Sequence, residues 1–318
     1  MKILVISHSL KPSHIRKLRE TAEGIGAELY LTDDEDNSAD HYPDAEVVYG
    51  FGMKMARKSK NVKWLCVPSA GLDFVKPDSF ANKDCLLSNS SGAYGVTIAE
   101  HIIAVSLMMM RKLTVSYEET LRGEWGSHKP QKSLKDCRIT VLGTGDIGGN
   151  FARRAKAFEP AALIGVSRSG KSGEKCFDSV IKVTDLDTVL PRTDLLVMCL
   201  PGTEETEGIL SRERLAMLCE GAYIVNIGRG SAIDEDALAD RLEEGHLAGA
   251  ALDVFRTEPL PKESRLWKTK NLLITPHLAG GLTLEYTLNK NVDMFCEDLL
   301  NYAQGRPLKY LVDPRKGY

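Results

Sequence analysis

The stretch Arg138-Ile139-Thr140-Val141-Leu142-Gly143-Thr144-Gly145-Asp146-Ile147-Gly148 decides the fold. Its first five residues read as an apolar strand, and Ile147–Phe158, ending before Pro160, reads as a helix. A Gly-x-Gly-x-x-Gly alone says little; between a strand and a helix it reads as a dinucleotide turn. Gly143 permits the tight turn, Gly145 lets the backbone approach a pyrophosphate, and Gly148 lets helix and strand pack closely. The helix N-terminus is then aimed at the phosphates. Thr144, Asp146 and Ile147 complete the turn. The Asp146 carboxylate would repel a pyrophosphate, so its side chain is expected to point outward to solvent.

Outward from this turn the same rhythm continues in both directions. Downstream, the apolar runs Ala162–Val166, Leu195–Leu200, Tyr223–Ile227, Ala248–Val254 and Asn271–Thr275 join Arg138–Leu142 to give six expected strands. Upstream, Ile3–Ile6, Ala27–Leu31, Glu46–Tyr49, Val62–Val67 and Cys85–Leu87 alternate with polar or helical stretches, the pattern of a second parallel sheet. Between the series, Thr97-Ile98-Ala99-Glu100 reads as a capping box opening a helix through His101–Lys112 that joins two domains. Thr283–Tyr302 reads as a final amphipathic helix able to pack on the first domain. The expected architecture is α/β, with two doubly wound parallel-sheet domains and a cleft between them. Residues 1–95 with 284–318 form a flavodoxin-like substrate domain, and 96–283 a Rossmann cofactor domain.

At 318 residues the chain suits two domains that each bury a core, and 43% hydrophobic residues without a run of about 18 argue for a soluble protein. Met1–Ser7 is too short an apolar run for a signal peptide and reads as the first strand of a cytoplasmic protein. A net charge of -3 with interspersed signs offers no field for nucleic acid or an anionic membrane. The seven cysteines include no Cys-x-x-Cys and read as reduced core residues, with no metal site.

Cofactor choice turns on the end of the second strand, where an Asp or Glu about 20 residues past the motif would bind a ribose 2′-hydroxyl. The sequence there is Ser167-Arg168-Ser169-Gly170-Lys171, and no carboxylate follows until Glu174. Two cations and two hydroxyls suit a 2′-phosphate, so NADP(H) is expected over NAD(H), with NAD(H) still possible.

Ligands bind beyond the carboxyl ends of parallel strands. Arg229, Glu258 and His277 follow three such strands in the cofactor domain, and Ser69-Ala70-Gly71 follows Trp64–Val67 in the first domain. Carbonyl reduction needs a proton donor and a cation for the oxygen. His277 suits the first, oriented by Glu258, and the Arg229 fork suits a 2-oxo acid carboxylate. Backbone N–H groups of Ser69, Ala70 and Gly71 are candidate carboxylate contacts. Leu200, Pro201, Ile227, Gly228, Asp253 and Gly280, with Arg229 and His277, complete the expected cofactor set. Asp253 could also tune the histidine or merely end its strand.

The runs Val141–Gly149, Asn226–Gly230, Leu252–Pro261 and Ile274–Gly280, with Thr97–His101, together resemble the D-isomer-specific 2-hydroxyacid dehydrogenases, in matching order from roughly residue 45 to 310. The resemblance implies that Arg229, Glu258 and His277 are the catalytic trio, that the Ser69–Gly71 backbone binds the substrate carboxylate, and that the protein is a homodimer through its cofactor domains. Ser167–Ser169 is similar to the glyoxylate/hydroxypyruvate reductase branch, which favours NADPH. A departure follows His277, where Leu278-Ala279-Gly280-Gly281-Leu282 lacks a threonine common in relatives.

Two alternatives stay open. One is a larger or phosphorylated hydroxy acid as substrate, although the Tyr49–Met53 and Ser69–Phe74 loops are aromatic and apolar rather than basic. The other is a dinucleotide-sensing binding protein like the corepressors that share this fold. His101 reads as structural, and Met108-Met109-Met110 as core and dimer packing.

Overall fold

A computed structural model describes residues 1–126 and 129–312. The chain divides into two compact units, Met1–Tyr94 with Gly281–Tyr318, and Gly95–Gly280. The breaks fall one and three residues before the expected ones, and the last stretch of the expected 284–318 segment, from residue 313, lies outside the described residues.

In the first unit five strands, β1 (Lys2–Ile6), β2 (Glu28–Thr32), β3 (Val47–Gly50), β4 (Trp64–Cys66) and β5 (Leu86–Ser88), form a parallel sheet in the order β2-β1-β3-β4-β5. Alternation along β1 sends Leu4 and Ile6 to one core with Val48, Leu65 and Phe80, and Ile3 and Val5 to another with Val47 and Trp64. The helix Glu285–Ala303 covers the second face, where Phe295 stacks 4.5 Å from Tyr49. The expected final helix therefore belongs to this unit.

In the second unit seven parallel strands follow: β6 (Arg138–Leu142), β7 (Ala162–Ser167), β8 (Ser179–Lys182), β9 (Leu195–Met198), β10 (Ala222–Asn226), β11 (Leu247–Leu252) and β12 (Leu272–Ile274). Their order is β12-β11-β10-β9-β6-β7-β8, so the topological switch lies between β6 and β9, next to the glycine turn. Six strands were expected here; the addition is β8, an edge strand whose Ser179 and Lys182 are exposed. The joining helix runs Gly95–Met110 and starts two residues before Thr97, which sits buried in its first turn. Thr97–Glu100 is therefore no capping box.

Among the described residues no helix is long and apolar enough to cross a membrane, and no group of three or more His, Cys, Asp or Glu is placed to hold a metal.

Candidate active site

Along the carboxyl edge of the second sheet the singled-out residues come in spatial sequence. His277 follows β12, Glu258 follows β11, Arg229 follows β10, Leu200 and Pro201 follow β9, Gly143–Gly148 follow β6, and Ser167 ends β7 with Arg168–Lys171 after it. Parallel pairing throughout is what brings these six segments, scattered over more than a hundred residues, to one edge.

The glycine turn has the shape a dinucleotide needs. Gly143 has φ +95°, in the region glycine favours, and a Cβ at Gly148 would lie 1.9 Å from the Gly143 carbonyl oxygen. A Cβ at Gly145 would meet no atom within 4 Å, so this glycine leaves open space at the start of the helix Asp146–Ala155. Open space bordered by helix N–H groups fits a pyrophosphate.

Asp146 corrects an expectation. Its carboxylate does not point to solvent; it accepts hydrogen bonds from Asn150 Nδ2 (2.9 Å) and from the backbone N–H of Gly95. Burial pushes its pKa above the usual carboxylate value against those bonds. The first N–H groups of the Gly95–Met110 helix have no acceptor within the helix, and their end of the helix dipole favours a carboxylate. Gly95 leaves the room, since a Cβ there would lie 2.5 Å from Asp146 Oδ1.

At the end of β7, Ser167 Oγ donates to the Lys171 carbonyl (2.9 Å) and accepts from the Lys171 N–H (3.1 Å), closing a small loop. Ser172 Oγ ties the next residues to the Thr144 carbonyl at 3.2 Å. Ser172 went unnoticed in the sequence because a lone serine after a loop carries no pattern.

Arg229 stands between two glycines for steric reasons. A Cβ at Gly228 would lie 2.6 Å from the Leu200 carbonyl oxygen, and one at Gly230 only 1.9 Å from the Phe255 backbone. Buried Asn226 braces the turn, accepting from the Gly228 N–H (3.1 Å) and donating to the Arg229 carbonyl (3.0 Å). Asn226 is a positioning residue that the motif contained without revealing its task.

His277 Nδ1–H donates to Glu258 Oε2 at 2.7 Å, and Glu258 Oε1 accepts the Phe255 N–H at 2.9 Å. With Nδ1 held, Nε2 is the ring nitrogen left for a reacting group. The His277 backbone is left-handed, φ +51°, a conformation that costs a non-glycine residue about 1–3 kcal/mol. It is fixed by bonds from its N–H to the carbonyls of Asp253 (2.8 Å) and Thr275 (3.0 Å).

Asp253, expected among the cofactor contacts, is 3% exposed and accepts from Thr275 Oγ1 (2.6 Å), Leu278 N–H (3.0 Å) and Ala279 N–H (3.0 Å). It anchors the segment on both sides of His277. His101, on the joining helix, comes within 3.4 Å of Thr275 Oγ1; burial lowers its pKa, and the Asp253 charge opposes that shift. The structural reading of His101 gains a specific partner.

In the first unit the Ser69–Gly71 loop is locked through its carbonyls. Ser90 N–H bonds to Ser69 (2.9 Å), Asn89 Nδ2 to Ala70 (2.7 Å), Ser69 Oγ to Gly71 (2.9 Å) and Tyr94 Oη to Pro68 (2.5 Å). Phe51 and Phe74, after β3 and β4, place their rings 6.3 Å apart on this edge, both partly exposed.

Comparison with known proteins gives a consistent picture. Residues 103–279, more than half of the chain, match the NAD-binding domain of the D-isomer specific 2-hydroxyacid dehydrogenases. Glyoxylate/hydroxypyruvate reductase B of Erwinia tasmaniensis is 31% identical over 285 residues, covering 87% of this chain and 88% of that protein. D-3-phosphoglycerate dehydrogenase of Archaeoglobus fulgidus is 30% identical over 271 residues, 85% of this chain; the chain spans only 49% of that longer protein. Among solved structures, a D-isomer specific 2-hydroxyacid dehydrogenase family protein from Aeromonas salmonicida superposes with a TM-score of 0.88 at 30% identity, covering 98% of this chain and 99% of the other. An NADPH-dependent glyoxylate/hydroxypyruvate reductase from Sinorhizobium meliloti, in complex with NADP and sulfate, gives 0.81 at 25% identity, covering 100% and 99%. The glycine turn, the strand-end histidine–carboxylate pair and these matches have one explanation: the chain belongs to the D-isomer specific 2-hydroxyacid dehydrogenase family, with an NAD(P)-binding domain in its second unit.

Proposed function

We propose that the protein reduces a small 2-oxo acid, of the glyoxylate or hydroxypyruvate class, to the D-2-hydroxy acid with NADPH. The observation that carries this reading is the 2.7 Å His277–Glu258 pair, on the same sheet edge as Arg229 and the open glycine turn.

Bound NADPH supplies the hydride that the carbonyl carbon gains. The chain's residues do the rest. His277 Nε2 delivers the proton to the carbonyl oxygen, so hydride plus proton convert C=O to CH–OH. Glu258 holds Nδ1 and offsets the charge of the protonated ring. Arg229 binds the carboxylate and polarises the adjacent oxygen through its guanidinium fork, and the Ser69–Gly71 backbone takes the other carboxylate oxygen. Arg168, Ser169 and Lys171 bind the 2′-phosphate, and Ser167 closes the loop that carries them. The NADP-bound relative and the reductase of Erwinia tasmaniensis support a small, unphosphorylated substrate and NADPH.

The test is NADPH oxidation with glyoxylate, hydroxypyruvate, pyruvate, a bulky 2-oxo acid and a phosphorylated one. Turnover of the first two with kcat/KM above the others is expected, and higher for NADPH than for NADH. Preference for the phosphorylated acid overturns the substrate class; nucleotide binding without turnover of any overturns catalysis in favour of sensing.

We further propose a homodimer through the second unit.

A further inference from the structure

The end of β7 lacks the acid that would hold a ribose hydroxyl. Along the chain the next carboxylate is Glu174, but Arg153 holds its Oε2 at 2.7 Å. Another loop brings a different acid to the place. Glu205, after β9, sets Oε2 3.1 Å from Arg168 Nε. Because β6 lies between β7 and β9, the Arg168–Glu205 pair spans the mouth of the glycine turn, where the adenosine half of a dinucleotide would lie.

Both partners sit on built turns. Thr206 Oγ1 donates to the Pro201 carbonyl (2.7 Å) and accepts the Thr203 N–H (3.0 Å), which fixes the backbone that carries Glu205. Arg168 lies inside the loop closed by Ser167 and Lys171. The two side chains are 63% and 68% exposed, so their ion pair is wet and easily parted. A nucleotide entering here therefore meets one cation and one anion.

We propose that Glu205 is a specificity-determining residue: it supplies from the neighbouring loop the ribose-binding carboxylate that β7 lacks. Glu205 accepts a hydrogen bond from the 2′-hydroxyl of NADH and repels the 2′-phosphate of NADPH, while Arg168 does the reverse. The site then takes both nucleotides, with a preference set by the balance of the two side chains. The inference rests on the proposed nucleotide role of Gly143–Gly148.

The experiment is direct titration of NADPH and NADH fluorescence with the full chain, without substrate, for the wild type, Glu205→Gln and Arg168→Ala. Gln keeps the shape and removes the charge. The expected result for Glu205→Gln is tighter NADPH and weaker NADH, each by about fivefold, the ratio that separates a charged from a neutral hydrogen-bond acceptor. Arg168→Ala should weaken NADPH by about tenfold or more and leave NADH nearly unchanged. If Glu205→Gln leaves the ratio of the two Kd values within twofold of the wild type, the role of Glu205 is wrong even though the turn binds nucleotide. If the wild type binds neither nucleotide, the reading of the turn falls and this inference with it. Thermal melting of both variants shows that they are folded.

Discussion

His277 shows how much of the proposed site is built by backbone. Its left-handed φ of +51° turns the ring toward Glu258, and the Asp253 and Thr275 carbonyls hold its N–H there. Removing the imidazole leaves this frame intact, so His277→Ala should lower kcat by about a hundredfold to ten-thousandfold with little change in nucleotide Kd. Near-normal turnover in steady-state assays would refute the proton-donor role. Asp253 makes the complementary case. Its carboxylate accepts three donors, two of them the N–H groups of Leu278 and Ala279. Asp253→Asn offers one carbonyl oxygen and turns an NH2 toward at least one of those donors. We expect a loss of about 1–3 kcal/mol in urea unfolding, and a fall in kcat that exceeds any change in nucleotide affinity. Unchanged unfolding and kcat would show that the segment does not depend on this anchor.

Individual elements rest on side chains at their ends, and Asp194 shows this on the sheet edge opposite the site. Standing just before β9, it accepts Arg138 Nε (2.8 Å) and backbone N–H (2.9 Å) at the start of β6, and Lys132 Nζ (2.8 Å) from the preceding loop. Burial raises the Asp194 pKa, but the bonds from Arg138 and Lys132 outweigh it and hold the carboxyl well below its ordinary 3.8. A depressed folded pKa stabilises the fold above the unfolded value, and that contribution is lost as pH falls through the folded one. Asp194→Asn should therefore cost about 1–3 kcal/mol near pH 7, with the gap in Tm to the wild type closing below about pH 4. A gap independent of pH would place the effect in packing instead.

Strands β1 to β7 and β9 to β12 announce themselves because buried parallel strands are continuous apolar runs; β8 is half polar at an edge and does not. The strand-end positions of Arg229, Glu258, His277 and the glycine turn are legible in the sequence. The direction of Asp146 is not, because its partner, the Gly95 N–H, lies fifty residues away and only folding brings it near. Thr275 and Glu205 are not legible for the same reason, since their partners Asp253 and Arg168 are more than twenty residues away in the chain.

Among the described residues, one helix of the second unit carries a row of exposed apolar side chains. The helix Leu113–Leu121, which no sequence pattern announced, exposes Leu113 (50%), Tyr117 (65%) and Leu121 (70%) at four-residue spacing, and Trp125 beyond it is fully exposed. Four-residue spacing puts the first three on one helical face. Beside this helix a cavity of about 500 Å³ is lined by Met109, Lys112, Val115 and Glu118 on one side and by Gly249 and Leu273 on the other. Tyr117 and Trp125 are aromatic side chains of the kind that bury about 150–250 Å² each, and with the two leucines they supply a substantial share of the roughly 800 Å² that one partner contributes to a standard interface. A second copy, presenting the same arm, is the occupant that the dimer implied by the family resemblance would place here. We expect sedimentation equilibrium at micromolar concentration to give twice the chain's 35.0 kDa. Tyr117→Glu with Leu121→Glu, both at exposed positions, should return the monomer without loss of secondary structure by circular dichroism. A wild-type monomer would remove the dimer from the proposal, and a dimer that survives both charges would place its interface on another face of the molecule.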